Sequence, residues 1–363
     1  MNTLHRILSV IKTINGLSNQ QDLSPLSIIE EDGFYPGLDN KQTPLKTFRP
    51  NHPNGSILIL YPGATIKGES HPKMITLARS LAINGVKVFL PRIPPLINLK
   101  LSEDILLWTV HFYKWIFDNF CENDNQINIA GVSFGGVIVL KSCLDPFLEK
   151  NKPKSVLVFG TSYDARTTME FMFNGKMIYK GRVIKIKPDP WSVIVMLHNY
   201  LNKINLGYNT KRIEQALTYY IHEKSKKFDQ AFNRLNDIEK NLINDTLELN
   251  VSDELKRVMD LIFNDCSNEI DFFSAKTWCN KITNDVFIIH GKNDSLSPFT
   301  ESIKLHNKLQ NSDLLVSELF EHREISKSAS YYSKLKEMLK IVIFLSRYYK
   351  KAFNISYKNS LIN

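Results

Sequence analysis

The sequence predicts an α/β protein, a mostly parallel sheet with helices on both faces, interrupted by a largely helical insertion. Three observations carry this. Short continuous Val/Ile/Leu runs alternate with helical patterns through the first 160 or so residues, and such runs read as strands buried on both faces. The alternation breaks after residue 161 and resumes near 285, with helical periodicity between. The chain has 363 residues, 43% of them hydrophobic and 23% charged, which is enough to bury a sizeable core without staples and excludes disorder.

The elements follow in order. In MNTLHRILSVIKTINGL, Leu4, Ile7, Leu8, Ile11 and Ile14 fall at helical spacing but are interrupted by polar residues. This predicts a helix packed on the body, with peripheral membrane contact the sharper alternative, and not a span or a signal segment. SIIEE and PLKTFRP predict antiparallel edge strands. SILILYPGA (56–64) predicts a strand ending in a Pro-Gly turn, 71–84 a helix, and VKVFLP (86–91) the next strand. Residues 102–120 are helical because Ile105, Trp108, Phe112 and Trp115 recur every three to four residues. QINIAGVS (126–133) and KSVLVFG (154–160) are strands with a helix over 135–144 between them. One hairpin and helices over 191–203, 211–226, 228–243 and 252–264 fill the next 120 residues, the first helix started by Pro188-Asp189-Pro190-Trp191. Strands return in DVFIIHGKND (285–294) and DLLVSELFEH (313–322), before a final helix over 328–349. The chain therefore divides into 1–44, an N-terminal helix and edge segment; a sheet domain of 45–161 and 283–363; and the insertion, 162–282.

Charge and cysteine usage narrow the function classes. The balance is 46 − 37 = +9, but the basic residues are scattered, with no stripe interleaved with aromatics, so no nucleic-acid partner is implied. Cys121, Cys143, Cys266 and Cys279 form no CxxC pair; zinc ribbons and thioredoxin-like chemistry are excluded, and a reducing, cytoplasmic setting is the simpler expectation. Cys143 lies in an apolar helical run and reads as an inert core thiol. Gly63 to Ser70 has phosphate-loop spacing, but Glu69 stands where the loop needs Lys, and no G-x-G-x-x-G occurs. His222-Glu223 lacks the second histidine of a zinc helix.

Gly131-Val132-Ser133-Phe134-Gly135 matches G-x-S-x-G between a strand and a helix. A nucleophilic serine needs a sharp turn that lifts its hydroxyl clear of the sheet, and the flanking glycines remove Cβ atoms that would collide there. The following helix directs its positive end at the site. A serine needs a base, and His322 is placed for it after the last strand; His290 reads as a buried strand residue and His306 as part of a surface helix. The imidazole needs an acid. Asp294, in the compact turn His290-Gly291-Lys292-Asn293-Asp294 with Pro298 after it, is the first choice, and Asp164, beyond the strand ending at Gly160, is the rival. The tetrahedral intermediate needs two backbone donors: the amides of Phe134 and of Ala64, in the Tyr61-Pro62-Gly63-Ala64 turn.

On YPGA, GVSFGG, HGKNDSLSP and the histidine after the last strand, the chain resembles a serine hydrolase of the α/β-hydrolase superfamily over about 45–161 and 283–350. The resemblance implies an eight-stranded, mostly parallel sheet and no metal or organic cofactor. The insertion's position is similar to that of the superfamily's cap or lid domains. The oxyanion turn departs from the His-Gly or His-Gly-Gly-Gly of many esterases, and serine at the nucleophile position argues against the branches that use aspartate. The expected activity is hydrolysis of a small-molecule carboxylic ester, lipid-like if Phe171, Met172, Phe173, Trp191, Tyr219 and Tyr220 line a pocket rather than the insertion's own core. Acyl transfer or thioester cleavage by the same triad, and a non-enzymatic binding protein on this scaffold, are the alternatives.

Overall fold

The computed structural model describes residues 3–18, 28–121, 127–319 and 331–353. Helix α1 (Thr3–Ser18) precedes β1 (Ile28–Pro36) and β2 (Gln42–Pro50). Then follow β3 (Ile57–Tyr61), α2 (Pro72–Ala82), β4 (Lys87–Pro91), α3 (Pro94–Ile97), α4 (Asp104–Phe120), β5 (Ile127–Val132), α5 (Phe134–Ser142), α6 (Pro146–Lys150) and β6 (Val156–Phe159). The next segment holds α7 (Ala165–Asn174), β7 (Lys176–Tyr179), β8 (Arg182–Lys185), α8 (Pro190–Tyr200), α9 (Lys211–Ile221), α10 (Ser225–Asn233), α11 (Asp237–Glu248), α12 (Asp253–Asp265) and α13 (Ser267–Phe272). The chain returns through β9 (Val286–Gly291), α14 (Phe299–Lys308), β10 (Ser312–Ser317) and α15 (Tyr331–Ala352).

Eight strands form one sheet in the order β1-β2-β4-β3-β5-β6-β9-β10. β1 and β2 pair antiparallel, as does β2 with β4; every other pairing is parallel. Strict alternation of side chains divides the central strands between two cores. Ile57, Ile59, Ile129, Val156 and Val158 face α4 and α5. Leu58, Leu60, Ala130, Phe287 and Ile289 face α2 and α15. Both faces are apolar, which is why these strands read as unbroken runs rather than as alternation.

α1 packs against α2 and α15. Val10 is fully buried there, and the Thr13 hydroxyl donates to the Ser80 carbonyl at 3.2 Å. The helix is therefore part of the body, but it docks through Val10 and Thr13 rather than through the whole stripe read from the spacing: Leu8 and Ile11 of that stripe are exposed. Among the described residues no helix is long and apolar enough to cross a membrane.

The insertion has its own core, built from Val193, Leu197, Leu217, Ile243, Val258 and Ile262. Two departures from the sequence reading lie here. The pattern over 228–243 is two helices, because Asn236 starts a new one: its Oδ1 accepts from the Glu239 amide at 3.0 Å while the Glu239 carboxylate accepts from the Asn236 amide at 2.9 Å. This reciprocal cap overrides a periodicity that runs through it. The short helices α7 and α13 are also absent from the sequence reading, since two to three turns present too few repeats of an apolar face to register. The hairpin β7–β8 packs Met177 on Phe299 of the sheet domain.

Candidate active site

The site lies where the sheet order reverses. β3 feeds α2 on one face, β5 feeds α5 on the other, and these adjacent parallel strands thus send their connections apart. The crevice left at their C-terminal ends is where open α/β sheets bind ligands.

Ser133 occupies the single residue between β5 and α5, with φ 56° and ψ −128°. For a non-glycine residue this conformation costs about 1–3 kcal/mol and persists only where the surroundings impose it. They do so here. The Ser133 amide donates to the Phe159 carbonyl of β6 at 2.7 Å, fixing the turn to the neighbouring strand. A Cβ on Gly131 would lie 2.4 Å from the Gly135 carbonyl oxygen, and one on Gly135 would lie 2.3 Å from that of Pro62. The spacing in G-x-S-x-G is therefore steric: strand, turn and helix backbones meet at van der Waals limits.

The same contacts seat the turn after β3 against the serine. A Cβ on Gly63 would be 3.1 Å from Ser133 Cβ and 3.7 Å from its Oγ. Gly63, Ala64, Ser133 and Phe134 all line one cavity. Phe134 is the first residue of α5, so its amide belongs to the turn that has no intrahelical acceptor and points out of the helix end. Both amides named as oxyanion donors are thus carried by segments that border the serine.

Asp294 is 1% exposed, and its Oδ1 accepts from the amides of Leu296 at 2.8 Å and Ser297 at 2.9 Å. Its Oδ2 lies 3.4 Å from Nε2 of His290. His290 is fully buried with both ring nitrogens engaged: Nε2 donates to the Ser297 carbonyl at 3.0 Å, and Nδ1 is hydrogen-bonded to the Ser302 hydroxyl at 2.6 Å. It shores up the turn that holds Asp294 rather than facing the cavity. Asp164 is engaged elsewhere. It caps α7 by accepting from the Arg166 amide at 3.1 Å and pairs with Lys276 at 3.1 Å. His322 lies outside the described residues. β10 ends five residues before it, and its last residue, Ser317, is in register with Gly291, at the start of the turn that carries Asp294.

The cavity has a volume of about 1300 Å³. Of the six apolar residues that the sequence offered as lining, Met172 and Trp191 face it. Phe171 is buried against Met177 and Phe299, Phe173 packs against the insertion's core, Tyr220 stacks on Phe228 at 5.4 Å, and Tyr219 lies outside the cavity beside Lys227. Composition marks aromatic residues but cannot say which side of a helix they occupy. Cys143 is buried behind the elbow helix, and burial pushes its thiol up to about 12, so it stays protonated and inert.

No family model matches the sequence, and no curated protein does. Solved structures do match. A puromycin-hydrolyzing peptidase of Mycobacterium tuberculosis gives a TM-score of 0.51 at 10% identity, covering 90% of this chain and 40% of that one. An acylaminoacyl peptidase of Pyrococcus horikoshii gives 0.49 at 9% identity, over 93% and 43%. The Pyrococcus furiosus esterase Pf2001 gives 0.45 at 13% identity, over 93% and 94%. The chain has the α/β-hydrolase fold. It spans about two fifths of the length of the two peptidases it matches. Within its α/β-hydrolase fold, Ser133, the 62–64 turn and Asp294 sit after β5, β3 and β9, at one edge of the sheet. What the sequence did not reveal is the polar setting of that edge. His71 lines the cavity while accepting from the Lys73 amide at 3.3 Å, and Ser297 lines it beside the Asp294 turn. A lone histidine before a proline and a serine in a turn carry no sequence signal.

Proposed function

We propose that the chain is a serine hydrolase that cleaves a carboxylic ester through Ser133, His322 and Asp294. The observation that supports this most is the strained Ser133 backbone, φ 56°, at the head of α5 and on the wall of a large cavity. Backbone strain of this kind is retained where a side chain must be presented. In this reading the Ser133 hydroxyl attacks the acyl carbon as its proton passes to His322. The Phe134 and Ala64 amides stabilise the oxyanion. The alcohol then leaves with the proton from His322, and water, activated by the same base, releases the acid from the acyl-enzyme. Asp294 orients the imidazole and stabilises its cation. Acyl transfer to another acceptor differs only in the second nucleophile.

A fluorophosphonate probe tests the reading directly. It should label the folded protein at Ser133, and Ser133→Ala should remove both labelling and nitrophenyl-ester turnover by several orders of magnitude. Ester hydrolysis that persists undiminished in Ser133→Ala would remove this serine from the chemistry. Product analysis with added alcohols or thiols separates hydrolysis from transfer.

A further inference from the structure

The cavity does not stop at the serine. It continues down the sheet face opposite α5, between α2 and α15. The register explains its floor. Leu60 of β3, Ala130 of β5 and Leu157 of β6 form one row of partners across the sheet. Val132, Phe159 and Ile289 form the next row, adjoining Ser133. All six line the cavity. The middle of the first row is alanine, so the centre of the floor is hollow where a leucine or isoleucine would close it.

The walls are largely apolar, with Thr13, Thr76 and Tyr348 also among the lining. α2 contributes Leu77 and Leu81, and α15 contributes Ile341 and Leu345. α1, which touches both of those helices, adds Thr13 and Leu17. Thr13 is already hydrogen-bonded to the Ser80 carbonyl, so it offers little to a polar guest. Three residue steps lead from Ala130 to Ser133, about 10 Å at the rise of a strand. That length holds roughly eight methylenes, taking the reach per bond of an extended chain. The upper part of the same cavity lies under the insertion, against Met172, Trp191 and Met196. Its total volume of about 1300 Å³ exceeds the usual span of about 300–1,000 Å³ for a drug-sized ligand.

We propose that this channel holds the acyl chain of a long fatty acyl ester, with the carbonyl at Ser133 and the alcohol part under the insertion. The placement of the carbonyl rests on the serine-hydrolase reading; the channel as a chain-binding site does not. A largely apolar channel favours a hydrocarbon chain, and each methylene it buries adds to affinity. Short acyl groups would leave the lower channel unused.

The experiment is equilibrium binding to the full-length Ser133→Ala protein, with dodecanoate and butanoate as probes. Dodecanoate is expected to bind at least tenfold more tightly. Ala130→Leu, which fills the hollow from the floor, should cut that preference at least tenfold, and so should Leu77→Trp from the α2 wall. In the active enzyme the same two changes should lower the dodecanoyl-to-butanoyl ratio of kcat/KM to a similar extent. Equal binding of the two acids by the parent protein would overturn the proposal even if neither channel variant folded. So would a folded pair of channel variants with an unaltered preference. If dodecanoate binds in the expected pattern but no ester is cleaved and no probe labels Ser133, the hydrolase reading fails while the channel stands.

Discussion

Ser133 carries the cost of its own presentation. At φ 56° it holds a conformation that glycine adopts freely. Ser133→Gly should therefore abolish turnover yet raise stability by about 1 kcal/mol, read from the denaturation midpoint. An unchanged or lowered midpoint would mean that the turn is not strained in solution. The acid is the second choice made at single residues. Asp294→Asn should keep the fold but lose on the order of 10⁴ in kcat through the wrong histidine tautomer. Asp164→Asn should cost far less, because asparagine caps a helix as well as aspartate and only the partly exposed Lys276 pair is lost. Activity should also fall on acidification, because the base must be unprotonated to accept the serine's proton. A crippled Asp164→Asn beside an active Asp294→Asn would reassign the acid. The sequence offered both aspartates; the structure places one in a helix cap with an ion pair and the other in a buried turn.

At the scale of elements, the parts legible in the sequence are those whose signal is local. GVSFGG specifies its own turn because its steric demands fall within six residues of chain and two short neighbouring segments, at Tyr61-Pro62 and Thr161. The parallel strands are legible because burial on both faces leaves an unbroken apolar run, as in Ile57–Tyr61. The break between α10 and α11 was hidden because helical periodicity on either side of Asn236 stays in phase while the cap interrupts it. Packing between elements is sensitive to the same close approach that makes the elbow readable. Gly135→Ala would push a methyl group to 2.3 Å from the Pro62 carbonyl oxygen, a rigid backbone atom. We expect a loss of about 1–3 kcal/mol from overpacking. We also expect a fall in kcat larger than any change in KM, because relief of the clash moves the 62–64 turn away from Ser133. A silent Gly135→Ala in both measurements would show that the turn and the elbow are not mechanically joined.

At the scale of the molecule, the cavity was not legible at all. Leu157 and Val158 are both apolar strand residues, and nothing in the chain says that one faces solid core and the other a channel; only register and the spacing of α2 from α15 decide it. The cavity is assembled from two bodies of sequence, with its lower part in the sheet domain and its upper part under the insertion. The chain leaves the sheet domain and returns to it at nearly one point: the Lys276 amide donates to the Tyr163 carbonyl at 2.8 Å, and the Ala165 amide donates to the Ser274 hydroxyl at 2.9 Å. Residues 166–272 can therefore be replaced by a short Gly/Ser linker without stretching either end. Ile66 and Leu101, which pack against the insertion's core, become exposed, so thermal melting must first establish that the shortened protein folds. If the acyl chain lies between the sheet and α2, removing the insertion should leave the dodecanoyl-to-butanoyl preference within about threefold. Discrimination among alcohol leaving groups should meanwhile change tenfold or more, since pocket contacts worth about 1–3 kcal/mol are lost on that side alone. A matrix of kcat/KM over acyl chains and alcohols reads both at once. Loss of the acyl preference with intact leaving-group discrimination would reverse the assignment of the two arms of the cavity.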